Sequence, residues 1–253
     1  MTTIRAPRRT GPCPYLRDAP DMNVYDLWAP AFSTADYEAM LPQVWRRSGW
    51  SFYRPSCGHC SRCIPIRVDA DRFEPTGNQR RAARRNSDLV VEALPLAFSD
   101  ERFALYESYR RERFGKAAGD DPELDRASYM SFLIQNPLEG ALAVDYRLPA
   151  VGGAPGRLVA TGYVDVLPNG LSSVYFAWDP AEAKRSVGTW SVAAEIGLCR
   201  GMGKRWYYLG FWVPGSETMD YKADFGPAEI ALGGTWTPLD AALRAAIERG
   251  ELP

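Results

Sequence analysis

Three evenly spaced cysteines form the clearest candidate metal site. Cys57, Cys60 and Cys63 are each separated by two residues, in a segment rich in turn-forming residues. Thiolates at this spacing can converge on one zinc ion or an iron–sulfur cluster if a fourth ligand comes from elsewhere, and Cys13 or His59 could supply it. Such a site would be structural or regulatory, because a closed thiolate site leaves no open position for catalysis. The alternative is that free thiols pack as small hydrophobic groups.

A dense group of arginines follows the cysteines. Residues 78–87 read NQRRAARRNS, and a helix there would place its four arginines along one flank. A guanidinium group binds phosphate or carboxylate through two hydrogen bonds. With Arg46, Arg47 and Arg54 earlier in the chain, this flank could hold an RNA backbone or an acidic side chain. A solvated helix face is the alternative interpretation.

A third candidate site is the turn at residues 185–189 (RSVGT), which opens a predicted helix. Exposed backbone N–H groups and the helix dipole favour an anion at such a position. Ordinary turn chemistry explains the same residues equally well.

Charge is distributed unevenly along the 253 residues. The chain carries a net charge of −1, but residues 1–90 hold 14 Lys or Arg against 9 Asp or Glu. A basic first third indicates an anionic partner bound at one place, or else a solvated charged surface. The single histidine, His59, excludes Ser-His-Asp chemistry unless that residue takes part.

No run of 18 apolar residues is present, so no transmembrane helix is expected. The N-terminus is basic and lacks the apolar segment of a secretory signal. The sequence therefore predicts a cytoplasmic protein without a membrane contact.

The elements that must position these residues follow from pattern and capping. Residues 1–30 suggest an irregular arm, and Ser33 precedes a helical pattern that Pro42 interrupts. Beyond it we expect a strand at residues 64–68, a helix at 78–87 and a strand at 89–94. A change of composition near residue 95 divides the chain into predicted domains of residues 1–95 and 96–253.

The second predicted domain begins with helices and continues with an antiparallel meander. Asn169-Gly170 is a hairpin signal between two of its strands. The predicted elements are helices at 99–114 and 128–135, strands at 140–148, 158–167 and 171–178, a helix at 184–200, a strand at 204–213, a short helical piece at 221–230 and a last helix from a capping pattern at 237–240. This order is typical of an α+β fold.

Seven segments together resemble the arginyl/leucyl-tRNA–protein transferase family. They are residues 13–16 (CPYL), 45–49 (WRRSG), 53–68, 73–89, 184–189 (KRSVGT), 207–210 (YYLG) and 219–229. These segments keep the family's order and cover nearly the whole chain. The compact length and Cys63 are similar to the bacterial branch, the aspartate/glutamate leucyltransferases. Two segments depart from the family pattern, with TGN at residues 76–78 and WDPA at residues 178–181.

The resemblance implies a C-terminal domain of acetyltransferase-like (GNAT) fold, preceded by a smaller cysteine-containing α/β domain. It implies transfer of leucine from leucyl-tRNA to proteins with N-terminal Asp or Glu, with no cofactor required for the chemistry. An arginyl-specific enzyme is the nearest alternative. An acetyl-CoA-dependent N-acetyltransferase and a non-enzymatic RNA-binding zinc module are more distant ones.

Roles for individual residues follow as hypotheses. The predicted substrate-binding residues are Arg47, Tyr53, Arg54, Gln79, Arg80, Arg81, Arg185, Ser186, Gly188 and Thr189. The candidates for proton transfer or oxyanion contact are Tyr175, Asp179, Asp220, Tyr221 and Lys222. The predicted metal ligands are Cys13, Cys57, Cys60 and Cys63.

Overall fold

Two β-sheets organise the protein. The computed structural model describes residues 4–5, 9–17, 19–28, 32–114 and 125–251. The smaller sheet contains β1 (Ile4–Arg5), β2 (Arg9–Gly11), β3 (Met22–Trp28), β4 (Arg46–Ser48) and β5 (Ser51–Pro55). The larger sheet contains β6 (Ile64–Asp69), β7 (Val90–Pro95), β8 (Leu142–Arg147), β9 (Leu158–Val166), β10 (Gly170–Trp178), β11 (Trp206–Trp212), β12 (Ala228–Leu232) and β13 (Thr235–Pro238).

The larger sheet has the order β13-β12-β6-β11-β10-β9-β8-β7. Strands β10 and β11 are parallel, whereas the other neighbours pair antiparallel. Parallel neighbours require a crossover connection, and helix α5 (Val187–Gly201) lies between them in the chain. The predicted α+β class is confirmed.

Helices cover both faces of this sheet. The other helices are α1 (Thr34–Met40), α2 (Gly77–Arg85), α3 (Asp100–Phe114), α4 (Arg126–Tyr129), which continues as a π-helical turn over Met130–Ile134, and α6 (Ala241–Glu248). Helices α5 and α6 pack on one face through Ile196 and Ile247, beside Tyr207 of β11. The next residue, Tyr208, faces the other side and packs with α1 and the small sheet. No helix in the described segments is long and apolar enough to cross a membrane.

The division predicted at residue 95 does not coincide with a division between the sheets. Strands β6 and β7 lie within residues 1–95, yet both belong to the larger sheet, where β6 pairs with β11 and β12. The segment interpreted as an irregular arm also contains β2 and β3 of the smaller sheet. Long-range strand pairing leaves little trace in local composition, which explains both differences.

Local sequence patterns predicted some of the elements correctly and misplaced others. Ser33 forms the capping box of α1, which gives way to a 3₁₀ turn at Leu41–Gln43, where Pro42 lies. The predicted helical piece at 221–230 is a 3₁₀ turn at Asp220–Asp224 followed by β12. The pattern at 237–240 was also misplaced, because its first residues belong to β13 and Asp240 caps α6.

Candidate active site

Strands β10 and β11 of the larger sheet pair along only part of their length, and we call the place where their pairing ends the cleft. The two strands pair only from Gly170 to Ser172 on one side and from Trp206 to Tyr208 on the other. Immediately beyond, each strand has an irregularity in its pairing with its outer neighbour, and Gly210 adopts a left-handed φ of +91°. The sheet therefore presents two parallel strands that share one end and diverge at the other.

Two cations occupy the start of this divergence. The Arg46 guanidinium donates to the backbone oxygen of Ser173, and Lys222 Nζ donates to the backbone oxygen of Leu209 at 2.8 Å. Ser173 and Leu209 are the first residues after the paired segment of each strand. Arg46 and Lys222 are only 7% and 9% exposed. They are therefore buried charges that cap the first free carbonyl groups of the cleft.

Neither cation forms an ion pair with a carboxylate from the described residues. Burial, and secondly the charge on Arg46, lower the pKa of Lys222 to about 7. A Cβ atom at Gly210 would lie 3.4 Å from Lys222 Nζ and 3.6 Å from Arg46 Nη2. Gly210 thus lies directly against both charged groups, and a side chain at this position would crowd them.

Tyr53 connects the cleft to the small sheet. It pairs with Arg46 across β4 and β5, and its ring meets Phe211 edge-on at 6.4 Å. Burial raises the pKa of Tyr53, and the positive charge of Arg46 opposes that rise. Of the predicted substrate-binding residues, Tyr53 is thus the one that lies beside the cationic pair.

A buried carboxyl group lies on the α5 side of the same strands. Glu195 is 3% exposed and accepts hydrogen bonds from Tyr146 at 3.0 Å and from Tyr207. Burial raises the pKa of Glu195 to about 7, although both hydrogen bonds oppose the shift. Burial and Glu195 raise the pKa of Tyr207, and the nearby Ser173 side chain opposes that rise. Ser173, Tyr207 and Glu195 therefore follow one another from the cleft into the protein, and Tyr207 is hydrogen-bonded to Glu195.

The four predicted metal-binding cysteines are neighbours. Burial, followed by the proximity of Cys60, Cys13 and Cys57, raises the pKa of Cys63 to about 12. All four thiols and His59 border a cavity of about 270 Å³. Thiol chemistry suits zinc or an iron–sulfur cluster, but no group of three or more ligand side chains among the described residues is arranged to hold an ion. The sequence thus predicted the cluster, whereas a metal in it remains a prediction.

A larger cavity of about 840 Å³ joins three of the predicted motifs. It is bordered by Gln79 from the start of α2, Thr189 from the start of α5, and Tyr221. Gln79 is buried, where its side chain completes the capping box with Thr76 and donates to the backbone oxygen of Asp224 at 3.0 Å. Its side chain therefore has structural partners, and its role as a ligand of substrate remains a prediction.

The arginines of α2 remain available at the surface of this region. Arg80, Arg81, Arg84 and Arg85 are all exposed. Arg80 and Arg81 bond only to neighbours within the first turns of the helix, and Arg85 reaches Ser186 Oγ at 3.3 Å. The predicted basic flank therefore lies next to the start of α5.

The residues of the turn before α5 have surroundings that differ from those expected of an anion site. Arg185 is engaged by Asp88 at 2.7 Å and by Glu182 at 2.6 Å, so its charge is already neutralised. Ser186 has a left-handed φ of +57° and its side chain does not cap the helix. Gly188 has open space around its Cβ position, so close packing does not require a glycine there.

Three further predicted site residues have structural partners instead. The Arg47 side chain is 1% exposed and forms a two-bond ion pair with Asp165, each bond 2.8 Å long. Asp179 caps the 3₁₀ turn Pro180–Arg185 and pairs with Arg157, which occupies its carboxylate. Asp220 accepts from Trp212 Nε1 at 2.9 Å. These side chains are satisfied within the protein, which argues against contact with substrate.

Two other predicted residues are placed away from the cationic pair. Tyr175 packs against Tyr106 and Phe132, with ring centroids 5.6 Å and 5.4 Å away. Arg54 is exposed and borders the cysteine cavity.

Three residues of the cleft were missed as site residues. Arg46 was considered only as one of several nearby arginines, and Ser173 carries no motif. Glu195 offered a usable signal, because it is the single acidic residue in the apolar helix α5.

Comparison with known proteins identifies the family. A model described as the N terminus of arginine-tRNA-protein transferase matches residues 11–81, and one described as its C terminus matches residues 101–232. A protein of Methylobacillus flagellatus named aspartate/glutamate leucyltransferase is 34% identical over 90% of this chain and 88% of its own length. The protein of that name from Stutzerimonas stutzeri is also 34% identical, over 90% of this chain and 93% of its own.

Similar solved structures include two distant chains. L-PGS from Bacillus licheniformis has a TM-score of 0.44 and 14% identity, over 70% of this chain and 49% of that chain. A GCN5-related glucosamine N-acetyltransferase region of a fungal β-N-acetylglucosaminidase has a TM-score of 0.41 and 12% identity, over 66% and 19%. The two family models and the curated relatives, in contrast, span most of the sequence at substantial identity, and the chain therefore belongs to the arginine-tRNA–protein transferase family.

Proposed function

We propose that this protein transfers leucine from leucyl-tRNA to the N-terminal α-amino group of proteins that begin with Asp or Glu. Relatives that share about a third of its sequence over most of their length are named aspartate/glutamate leucyltransferases. The observation that carries the proposal is the cleft between β10 and β11, where buried polar groups converge on backbone carbonyls just beyond the point at which the two strands stop pairing with each other.

The reaction mainly requires that the protein align the α-amine with the leucyl ester. The amine nitrogen attacks the carbonyl carbon of the leucyl ester, so that a C–N bond forms while the C–O bond to the terminal ribose breaks. The amine gives up one proton, and the released ribose hydroxyl takes one up. Because the ester is activated and an α-amine has a pKa of about 7.7–8.0, alignment within one cleft can supply on the order of 7–11 kcal/mol of the barrier.

Glu195 is the group best suited to accept the amine proton. Ser173 lies at the mouth of the cleft near Tyr207, which donates to Glu195. In this proposal Ser173 passes its hydroxyl proton to Tyr207 as it takes one from the amine, and Tyr207 passes its own proton to the carboxylate. A pKa of about 7 keeps Glu195 both a usable base and a usable acid at neutral pH.

The exposed flank of α2 suits the tRNA. Its four arginines are exposed, and guanidinium groups bind phosphate oxygens in pairs. The first turn of the same helix borders the larger cavity through Asn78 and Gln79. In this arrangement the tRNA backbone contacts α2, and its esterified end enters the cleft.

The test is a transfer assay with purified protein. Labelled leucyl-tRNA or arginyl-tRNA is mixed with peptides that differ only in a first residue of Asp, Glu or Ala. We expect leucine on the Asp and Glu peptides and none on the Ala peptide. Transfer of arginine instead would assign the other donor, and the absence of both would overturn the proposal. Saturable binding of acetyl-CoA would favour an acetyltransferase.

A further inference from the structure

Arg46 and Lys222 are two buried cations without an anion. Each donates one hydrogen bond to a backbone carbonyl, and the described residues supply no carboxylate to either. Burying like charges side by side is unfavourable, and proteins generally pair a buried charge or suppress it. Such a pair, without an anion from the described residues, can be compensated by a negative group of a ligand.

We propose that Arg46 and Lys222 bind the side-chain carboxylate of the acidic N-terminal residue that accepts the amino acid. The inference rests on the proposed function and identifies the residues that set its acceptor specificity. Arg46 contacts only the backbone oxygen of Ser173 and Lys222 only that of Leu209, so the side chains proposed for recognition differ from those proposed for proton transfer.

The available donors match a carboxylate. A guanidinium group carries five N–H donors and an ammonium group three, and the protein uses one of each. The remaining donors suffice for the two oxygens of a carboxylate, which accept up to about four hydrogen bonds. Gly210 lies against both donors, and a side chain there would crowd them, because its Cβ atom would begin 3.4 Å from Lys222 Nζ and 3.6 Å from Arg46 Nη2.

The charge state of Lys222 agrees with an exchangeable anion. Burial and Arg46 lower the pKa of Lys222 to about 7, which shows that a second positive charge is unfavourable there when no anion is present. A carboxylate close to both groups favours the charged lysine. An uncharged amide of the same shape would leave two cations unpaired, so Asn and Gln are rejected.

A tRNA phosphate is the other anion that could reach this site. The two sources have different kinetic consequences. Loss of a carboxylate contact affects acidic acceptors alone, whereas loss of a phosphate contact weakens binding of leucyl-tRNA with every acceptor.

The test compares peptides that start with Asp or Asn and are otherwise identical, with an amidated C-terminus. Arg46→Met and Lys222→Met are assayed beside Arg200→Met, which removes an exposed arginine at the far end of α5. We expect kcat/KM for the Asp peptide to fall about 30- to 1,000-fold in each cleft variant. The value for the Asn peptide and the KM for leucyl-tRNA should stay unchanged. Arg200→Met should match the wild type.

Three results would overturn the inference: no loss of transfer to either peptide, an equal loss for both peptides, or a raised KM for leucyl-tRNA. Circular dichroism establishes folding, and Arg46→Lys should recover part of the Asp preference because it keeps the charge.

Calorimetric binding of the Asp peptide without tRNA separates this inference from the proposed function. A wild type that transfers no leucine but binds the Asp peptide, and loses that binding in Arg46→Met, would reject the function and keep the site. Equal binding of the Asp peptide by wild type and variant would reject the site.

Discussion

Arg46 and Arg47 are consecutive residues of β4, but their side chains enter two different regions of the molecule. Arg47 turns toward β9, where Asp165 neutralises it through two bonds and Asn136 supports that carboxylate at 3.1 Å. Arg46 turns to the opposite face and reaches the cleft beside Lys222, where no carboxylate of the described residues meets it. Successive side chains of a strand alternate in direction, so one dipeptide supplies both regions.

The comparison distinguishes closed cations, which are paired with a carboxylate of the protein, from open cations, which keep hydrogen-bond donors for a ligand. Arg102 and Asp145 repeat the closed arrangement, with bonds of 2.8 Å and 3.1 Å in a buried setting. A closed pair satisfies its donors internally, so its removal should act on stability. An open pair keeps donors in reserve, so its removal should act on binding.

The largest expected effect breaks the closed region. Arg47→Met leaves Asp165 buried and without its partner, which should lower the free energy of unfolding by about 3–5 kcal/mol. Arg46→Met should change it by less than about 1 kcal/mol, because relief of like-charge repulsion offsets the lost hydrogen bond. Urea unfolding at pH 7 measures both. Equal destabilisation by the two variants would abolish the distinction between the regions.

A second, smaller effect tests whether the buried Glu195 has a catalytic or a structural role. If it accepts the amine proton, Glu195→Gln should lower kcat at pH 7.5 by about 100-fold and remove the fall in rate below pH 7. Tyr146→Phe is the matched control, because Tyr146 bonds the same carboxyl group but lies off the line to Ser173. A Gln variant with the wild-type pH profile would make Glu195 a purely structural residue.

The sequence predicted local features of both regions better than their partners. Short-range rules predict the Ser33 cap and the Asn169-Gly170 hairpin, because both depend on residues that are close in the chain. The clustering of the cysteines is indicated by the repetition of one residue type. Thr76 and Gln79 even present a capping-box pattern, although Gln79 was assigned to substrate.

The difference between Arg46 and Arg47 could not be predicted in this way. Alternation along β4 shows that the two side chains point in opposite directions. Which of them is neutralised depends on Asp165, which lies 118 residues after Arg47 in the chain. Glu195 was visible as a lone acid in an apolar helix, yet its meaning depends on Tyr146, 49 residues earlier. Such partners are fixed by sheet register, which one sequence does not reveal.

The smallest expected effect sharpens the open region through pH. Burial and then Arg46 hold the pKa of Lys222 at about 7, whereas an unfolded lysine has a pKa of about 10.4. Between these values the unfolded chain binds a proton that the folded protein does not, so stability rises with pH and the dependence ends below about pH 7. From pH 7 to pH 9 the wild type should therefore gain about 2 kcal/mol relative to Lys222→Met.

Arg46→Met links this measurement to the comparison of the two regions. Without the neighbouring charge the pKa of Lys222 should rise, so the gain in stability should begin at a higher pH than in the wild type. An exposed variant such as Arg200→Met should leave the curve unshifted, because its charge does not face Lys222. Parallel curves for wild type and Lys222→Met between pH 7 and 9 would mean that the lysine is solvated. In that case the open cationic pair would lose the property that distinguishes it from the pair of Arg47 and Asp165.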